Sequence, residues 1–257
     1  MKTFSLTHII LLIVTFSLLA ITMLLASKLK RRGQNIMFFI GVSCCSCGIF
    51  FRYGMGLSLE GGVNLAILLR ELLQVCSFNF ILLPLMLFPK CEVARQYSIF
   101  FSMFAASTTL FSVSKVYANM HWYDLSFLNS WVNHFFAIAV PLWMLAARRL
   151  KPQTKYIPHV AIGVFSYFTV VAIISTILIK NGIITVDKSY SFIFDTMGFA
   201  PLDILYKMIP YPYFYLYPLL PCMLIFFFVF SKLFTKYKVY PYGYKPQKVH
   251  KDFQEQK

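Results

Sequence analysis

The stretch SWVNHFFAIAVPLWMLAARRLKP, residues 130–152, decides the class of fold. It is an apolar run long enough to cross a bilayer, and it ends in Arg148, Arg149 and Lys151. His134 and Pro141 lie inside the run, and both are costly in hydrocarbon unless neighbouring helices receive them. The stretch therefore predicts a membrane helix that packs among other helices.

The composition of the whole chain agrees with this class. The chain is 59% hydrophobic and 13% charged, whereas a soluble domain has about a quarter of its residues charged. The net charge of +15 does not indicate a nucleic-acid partner, because Lys and Arg lie in short arms beside the apolar runs. We predict an all-α, polytopic transmembrane helix bundle whose surroundings are membrane lipids.

Seven apolar runs are long enough to cross about 30 Å of hydrocarbon at about 1.5 Å per residue. They lie at residues 5–27, 36–58, 63–88, 97–117, 130–148, 159–180 and 211–234. The first is followed, not preceded, by its basic cluster, which is typical of an anchor and not of a cleaved leader. Residues 1–236 are predicted to form one seven-span domain, and residues 237–257 a basic, flexible tail.

The placement of charge predicts an orientation. Lys and Arg are concentrated after the first, third and fifth runs and in the tail, while Asp and Glu prevail in the other connections. Cytoplasmic loops carry the excess of Lys and Arg, so we place the N-terminus outside and the C-terminus in the cytoplasm of the cell membrane. In the last outer loop, residues 201–209 are predicted to form a short helix lying on the membrane.

Five ionisable side chains inside the runs are candidates for a site, and this topology puts these five in the outer third of the bilayer. They are Arg52, Arg70, Glu71, Lys115 and His134. On an α-helix, Arg70, Glu71 and Gln74 share one stripe. We expect a polar cavity open to the outer leaflet, with positive charge in excess, which suits a lipid phosphate or carboxylate.

A purely structural interpretation of the same residues stays open. Glu71 is the only acid in the runs, and an ion pair with Arg52 that locks two helices together would account for both. Lys115 would then extend its amine to the interface, and His134 would be a hydrogen-bonded packing residue.

The run GVSCCSCG, residues 41–48, is predicted to be a packing surface. Small residues four apart let membrane helices approach closely. Adjacent thiols on one helix do not complete a tetrahedral metal site without ligands from elsewhere, so no metal or cofactor is predicted. None of the six cysteines lies in a segment placed outside, so extracellular disulfides are not expected. The last run opens with four prolines, which predict a broken helix in its outer half.

Three stretches carry a family resemblance: LLPLMLFPK (residues 82–90), residues 131–152 and PLDILYKMIPYPYFYL (residues 201–216). In order and spacing they resemble the bacterial YwaF-type integral membrane proteins. Those are similar to a eukaryotic transmembrane family of cysteine-dependent phospholipid acyltransferases. The resemblance implies a Cys nucleophile and a His acting through an acyl-enzyme, and His134 matches the family's His.

The chain departs from that pattern at one motif. Where the family often has Leu-Pro-Leu-His-Leu-Cys, this chain has Met86 and Phe88 in place of the His and Cys. Cys91 follows at the cytoplasmic end, whereas His134 is near the outer end, so these two are not expected to form a dyad unless the third span is re-entrant at Pro84 and Pro89. Cys76 is closer in depth, but nothing in the sequence activates its thiol.

The sequence therefore favours a protein that binds or modifies a lipid or lipid-like anion, with acyl transfer as its enzymatic form. In this hypothesis Arg52, Arg70, Glu71, Gln74 and Lys115 position the ligand, and His134 is a base or donor. A small-molecule transporter or facilitator remains an alternative, as does a sensor or assembly subunit whose basic tail binds a cytoplasmic partner or anionic lipid. The oligomeric state is left open.

Overall fold

The computed structural model describes residues 3–59, 73–88, 90–112, 120–185, 192–196 and 198–239. These ranges are helical and contain no strand. The helices are α1 (Leu6–Lys28), α2 (Arg31–Leu59), α3 (Asn79–Met86), α4 (Glu92–Tyr97), α5 (Met103–Phe111), α6 (Leu125–Ala146), α7 (Ile157–Lys180), α8 (Ala200–Met208) and α9 (Leu219–Leu233). Short 3-10 turns occupy Val75–Phe78, Thr154–Tyr156 and Phe214–Leu216, and a π-helical turn, Ser98–Ser102, joins α4 to α5.

Within the described ranges, five helical segments are long and apolar enough to cross a membrane, which agrees with the predicted all-α transmembrane class. They are Leu6–Lys28, Arg31–Phe51, Leu125–Ala146, Thr154–Lys180 and Phe214–Leu233, at the first, second, fifth, sixth and seventh predicted positions. The two remaining predicted spans include residues 63–72 and 113–117, which lie outside the described ranges. The seven-span count and the orientation of the termini stay predictions.

Helix α6 is the central element, because it packs against α1, α2 and α5. Residues 137–141 are all buried, including Pro141. A proline inside a helix removes one backbone hydrogen bond and leaves a carbonyl one turn earlier without its donor. Here the unpaired carbonyl lies within the protein and away from acyl chains, which explains why a proline is tolerated in this run.

The contact between α2 and α6 depends on small residues in the run at 41–48. A Cβ added at Gly41 would lie 2.7 Å from side-chain atoms of both Val140 and Trp143. One turn on, Cys45 is fully buried and its thiol donates to the Asn133 side-chain oxygen at 2.7 Å. The spacing predicts this close approach, and the helices meet as it predicts.

Two tryptophans hold α1 against α6. The indole N–H of Trp131 donates to the Thr15 hydroxyl, and that of Trp143 donates to the Thr22 hydroxyl, each at 2.9 Å. Each hydroxyl in turn donates to a backbone carbonyl of α1. Both indole groups are therefore satisfied within the protein, as a polar group inside a membrane requires.

A buried arginine organises the end of the bundle where the basic arms meet. The Arg149 guanidinium donates to the side chains of Gln34 and Asn35 at 2.9 and 2.6 Å, and to the Arg31 carbonyl at 3.2 Å. Its own backbone carbonyl accepts from Arg95. The preceding residue, Arg148, has φ +56°, the left-handed conformation that commonly ends a helix.

Further hydrogen bonds join the remaining arms to this end. The Gln96 amide donates to the Lys151 carbonyl at 2.9 Å, and Thr154 bonds the Ser231 hydroxyl at 2.9 Å. The Tyr237 hydroxyl donates to the Leu145 carbonyl at 2.8 Å. The segments near residues 31, 95, 150 and 235 thus share one end of the molecule, as their charges lead one to expect.

The third predicted span is not a continuous α-helix in its described half. Gln74 has extended backbone angles (φ −80°, ψ 140°), a 3-10 turn follows, and α3 begins only at Asn79. Regular helical spacing therefore does not continue beyond Gln74, while Arg70 and Glu71 lie outside the described residues. Next to this interruption, the Leu73 carbonyl accepts a hydrogen bond from the Tyr167 hydroxyl of α7.

The loop before the last span contains the predicted short helix, α8. Leu202 on its inner face is buried, whereas Ile204 and Met208 are exposed, as in a helix lying at an interface. After it, the proline-rich segment forms only a short 3-10 turn, and Tyr213 has φ +66°. Regular helix resumes at Leu219, so the predicted interruption of this span is present.

Candidate functional site

The structure describes only part of the predicted site. The side chains of His134 and Gln74 are placed. Arg52 lies in α2, but its side chain is outside what the structure describes, as are Arg70, Glu71 and Lys115 altogether. Whether the charged residues gather around His134 therefore stays a prediction.

His134 lies in the central helix and is 8% exposed. Its Nδ1 is 2.6 Å from the backbone carbonyl of Ser130, one turn earlier, and 3.4 Å from the Ser130 hydroxyl. Because a carbonyl oxygen only accepts, the proton of a neutral ring sits on Nδ1 and the lone pair on Nε2. That Nε2 has no hydrogen-bond partner within the described ranges.

A second buried histidine, His8 of α1, has the opposite arrangement. Its Nδ1 accepts from the Phe4 backbone N–H at 2.9 Å, so its Nε2 carries the proton and donates to the Leu110 carbonyl at 2.9 Å. The ring also contacts Trp131 edge-on, with centroids 5.8 Å apart. Sequence analysis did not single out His8. Both of its nitrogens are used in packing, whereas His134 keeps one nitrogen for other chemistry.

Polar groups of α2 and α6 meet at Asn129 and Asn133, and Asn133 precedes His134 in the chain. On α6, Asn133 accepts from Cys45, and Asn129 donates to the Gly48 carbonyl at 2.9 Å. Cys76 lies in the turn before α3, and its thiol donates to the Gln74 side-chain oxygen at 3.6 Å.

A groove of about 460 Å³ runs between α2 and the segment around α3, and sequence analysis missed it. It contains Phe88, the residue that replaces the family's cysteine, which is 59% exposed, whereas Met86 points into the core with 0% exposure. Its lining is otherwise mostly apolar and includes one thiol: Phe39, Val42, Ser43, Ser46, Cys47, Phe50, Pro84 and Leu87. Cys47 is an exposed cysteine of this surface.

Cys91 lies where the sequence predicts and is remote from His134. It immediately precedes α4, whose Arg95 bonds the Arg149 carbonyl at the basic end of the bundle. His134 lies twelve positions before the end of α6 at Ala146, a rise of about 18 Å. A hydrogen-bonded Cys91–His134 dyad is not formed.

The chemistry available at His134 is that of an imidazole whose ring orientation is fixed. Its bond to Ser130 holds the ring, and its Nε2 can accept a proton or a hydrogen bond from a ligand. In the part of the chain that the structure describes, no group of three His, Cys, Asp or Glu residues is placed to hold a metal ion. The site is therefore described by imidazole, amide, thiol and hydroxyl groups.

Comparison with known proteins gives one match. A family model described as the TMEM164 family matches residues 3–234, which include every described helix. No curated protein matches the chain, and no solved structure matches it. The model spans most of the 257 residues, from before α1 to the end of α9. The chain therefore belongs to the TMEM164 family.

Proposed function

We propose that this protein binds a lipid or lipid-like anion in a polar cavity in the outer half of the membrane, with His134 as the group that contacts it. The observation that carries the proposal is the His134 ring, which is buried, oriented by Ser130 and left with an acceptor nitrogen. Among the described residues its Nε2 has no hydrogen-bond partner, so it is available to a ligand, which favours a role in binding or proton transfer.

The contrast with His8 supports this interpretation. In His8 both ring nitrogens bond to backbone groups, which is what a packing histidine in a membrane needs. In His134 only Nδ1 is used in this way. One chain thus contains both arrangements.

The charge of the ligand follows from the residues predicted around His134. Arg52, Arg70 and Lys115 exceed the single acid, Glu71, by two positive charges, so the cavity would favour a phosphate or carboxylate group. Gln74 would add an amide at the inner edge of that cavity. The grouping of these side chains around His134 is part of the proposal.

Acyl transfer is the enzymatic form of the proposal, and it follows from the YwaF-like and acyltransferase resemblance. It needs a nucleophile near His134. Cys45 is linked to the adjacent Asn133, but its thiol is fully buried and donates to that amide. Cys47 lies in the open groove, on the side of α2 turned away from Cys45. We therefore leave the nucleophile unassigned.

A facilitator of small-molecule passage is the second candidate. Two membrane segments are interrupted, one at Gln74 and one at Tyr213. Interrupted helices are typical of transport proteins, whose ligands bind at the break. Uptake of solute by sealed proteoliposomes tests this function, and vesicles that accumulate nothing count against it.

Native mass spectrometry of the protein in mild detergent tests the leading proposal. The wild type should retain one class of anionic lipid. His134→Asn keeps a side-chain N–H for the Ser130 carbonyl and removes Nε2, so it should lose that lipid while staying folded. His8→Gln is the matched control and should retain it. Equal retention by the wild type and His134→Asn, or no lipid on either, contradicts the proposal.

A further inference from the structure

The groove between α2 and the segment around α3 begins near the basic end of the bundle. Phe39, which lines it, lies eight positions after Arg31 at the start of α2, a rise of about 12 Å. From Phe39 to Phe50 the groove follows α2 for about 16 Å, which is close to one leaflet of a roughly 30 Å hydrocarbon core. Its other wall ends at Phe88, two residues before Lys90. The groove thus lies at the depth of the acyl chains in the leaflet on the basic side.

Small side chains make room for the groove. On an α-helix, Phe39, Ser43, Ser46 and Phe50 share one stripe about 60° wide, so the two serines lie between two aromatic rings. Gly41 faces α6 from the other side of α2, and the stripe therefore points away from the core. Phe39 and Phe50 are exposed at its two ends. In a membrane such a groove is open to hydrocarbon, and its volume of about 460 Å³ suits an acyl chain more than a polar solute.

Two basic side chains flank the end of the groove. Arg32 lies seven positions before Phe39, which is close to two helical turns, so it continues the same stripe about 10 Å beyond the groove. Lys90 follows Phe88 on the other wall. Both side chains are exposed, and neither has an ion-pair partner among the residues that the structure describes. The apolar groove therefore leads to two positive charges that no described acid neutralises.

The carboxylate nearest to Lys90 in the chain is already paired. Glu92 forms an ion pair with Arg95 at 2.9 Å, and its other oxygen accepts from the Gln96 amide at 2.7 Å. The other carboxylates in the described ranges lie in connections at the opposite end of the bundle: Asp124, Asp195 and Asp203. A ligand at the end of the groove therefore meets an excess of positive charge, which favours an anion and disfavours a headgroup ammonium.

We propose that an anionic phospholipid of the leaflet on the basic side binds here, with one chain in the groove and its phosphate between Arg32 and Lys90. Guanidinium and ammonium groups form charge-assisted hydrogen bonds to phosphate oxygens. The chain meets mostly apolar side chains along about 16 Å of helix, so both parts of the lipid are recognised. This site is separate from the cavity proposed at His134, which the predicted topology puts in the other leaflet.

A photoactivatable lipid tests where the chain lies. Phosphatidylglycerol with a diazirine near the end of one chain is added to the protein in mild detergent and illuminated, and the labelled peptides are identified by mass spectrometry. Labelling is expected within residues 39–50 and 84–88, whereas a lipid in the outer cavity would label peptides around His134. Unlabelled phosphatidylglycerol should suppress the groove labelling about thirtyfold more effectively than phosphatidylcholine, because two basic groups meet its net charge. Equal suppression by the two lipids would overturn the proposal.

Removal of charge tests the headgroup contact. Arg32→Gln combined with Lys90→Gln should abolish the preference for phosphatidylglycerol. Lys155→Gln combined with Lys236→Gln removes the same charge from exposed positions at the same end, beside α7 and α9, and should keep the preference. Equal losses in the two double variants would mean that only the overall charge of this end attracts the lipid, and would overturn the proposal.

Filling the groove tests the chain contact. Ser46→Phe places a ring between Phe39 and Phe50 and should lose the groove labelling. Ser17→Phe, at an exposed position of α1, adds the same ring elsewhere on the surface and should keep it. Groove labelling that persists in Ser46→Phe, or a probe that labels only other peptides of the wild type, contradicts the proposed site. The charge variants are at exposed positions, so they decide the question if Ser46→Phe does not fold.

Discussion

The Nδ1–H of His134 donates to the backbone carbonyl of Ser130, one turn earlier in the same helix, at 2.6 Å. This bond fixes the tautomer of the ring and leaves Nε2 as an acceptor. It also explains how an imidazole is kept in a membrane helix without an acid beside it among the described residues. The proton on Nδ1 is held by the backbone, so the ring needs no charged partner.

The two histidines should respond differently to the same change. His8→Ala removes bonds to both Phe4 and Leu110 and leaves the Leu110 carbonyl, at the end of α5, without a donor, so it should lower the free energy of unfolding by about 1–3 kcal/mol. His134→Asn keeps one donor and should change it by less than about 1 kcal/mol. Unfolding in mixed detergent micelles measures both. A larger loss for His134→Asn than for His8→Ala would assign His134 to packing.

The approach of α2 to α6 predicts the effect of a single methyl group. Gly41→Ala places its Cβ 2.7 Å from Val140 and Trp143 and should destabilise the protein by about 1–3 kcal/mol. Gly54→Ala, in the same helix with nothing within 4 Å, is the control and should be neutral or stabilising. Thermal unfolding in detergent distinguishes them, and equal transition temperatures would contradict the predicted clash.

The two neighbouring arginines at the basic end should have unequal effects. Arg149→Ala leaves the buried side-chain oxygen of Gln34 without its donor and also removes the bonds to Asn35 and to the Arg31 carbonyl, so it should cost about 2 kcal/mol. Arg148→Gly removes the strain of a left-handed backbone conformation but loses the contact of the guanidinium with the Tyr237 ring. The net change in the free energy of unfolding should therefore stay within about 1 kcal/mol. Comparable losses in the two variants would show that Arg149 does not organise this end.

Ser175 offers a prediction of increased stability. It is fully buried in α7, and its hydroxyl has no hydrogen-bond partner among the described parts of the chain. Ser175→Ala removes that unsatisfied group and should raise the free energy of unfolding by up to about 1 kcal/mol. Ser98→Ala, whose hydroxyl bonds the Ala94 carbonyl, is the control and should give no gain. A loss of stability in Ser175→Ala would reveal a partner for the hydroxyl.

Much of the fold follows from the sequence because apolar runs and basic arms are strong signals in membrane proteins. The run that begins at Ser130 is helical as far as Ala146, and Gly41, Cys45 and Gly48 pack against α6 as their spacing predicts. The interruption at Gln74 was not predictable. LLQVCSFNF has neither proline nor glycine, and the break depends on Tyr167, which is distant in sequence.

The candidate site was predictable only in part. His134 stands out as an ionisable residue in an apolar run, whereas its bond to Ser130 depends on a rotamer that no sequence pattern reports. His8 is likewise an ionisable residue in an apolar run, but the sequence pattern predicts only a membrane anchor there. Its role became visible only with the partner from α5, the Leu110 carbonyl. The groove at Cys47 likewise needs two helices to exist.

The central claim is that the ionisable residues of the outer half face one cavity with His134, and cysteine cross-linking tests it most directly. In a variant whose native cysteines are replaced by serine, Glu71→Cys and His134→Cys are combined and treated with a short bis-methanethiosulfonate reagent in membranes. Efficient cross-linking of this pair is predicted. His134→Cys combined with Phe39→Cys should not cross-link, because Phe39 is exposed and lies in the first half of α2. Failure of the Glu71–His134 pair to cross-link, while both cysteines react singly, would contradict the account.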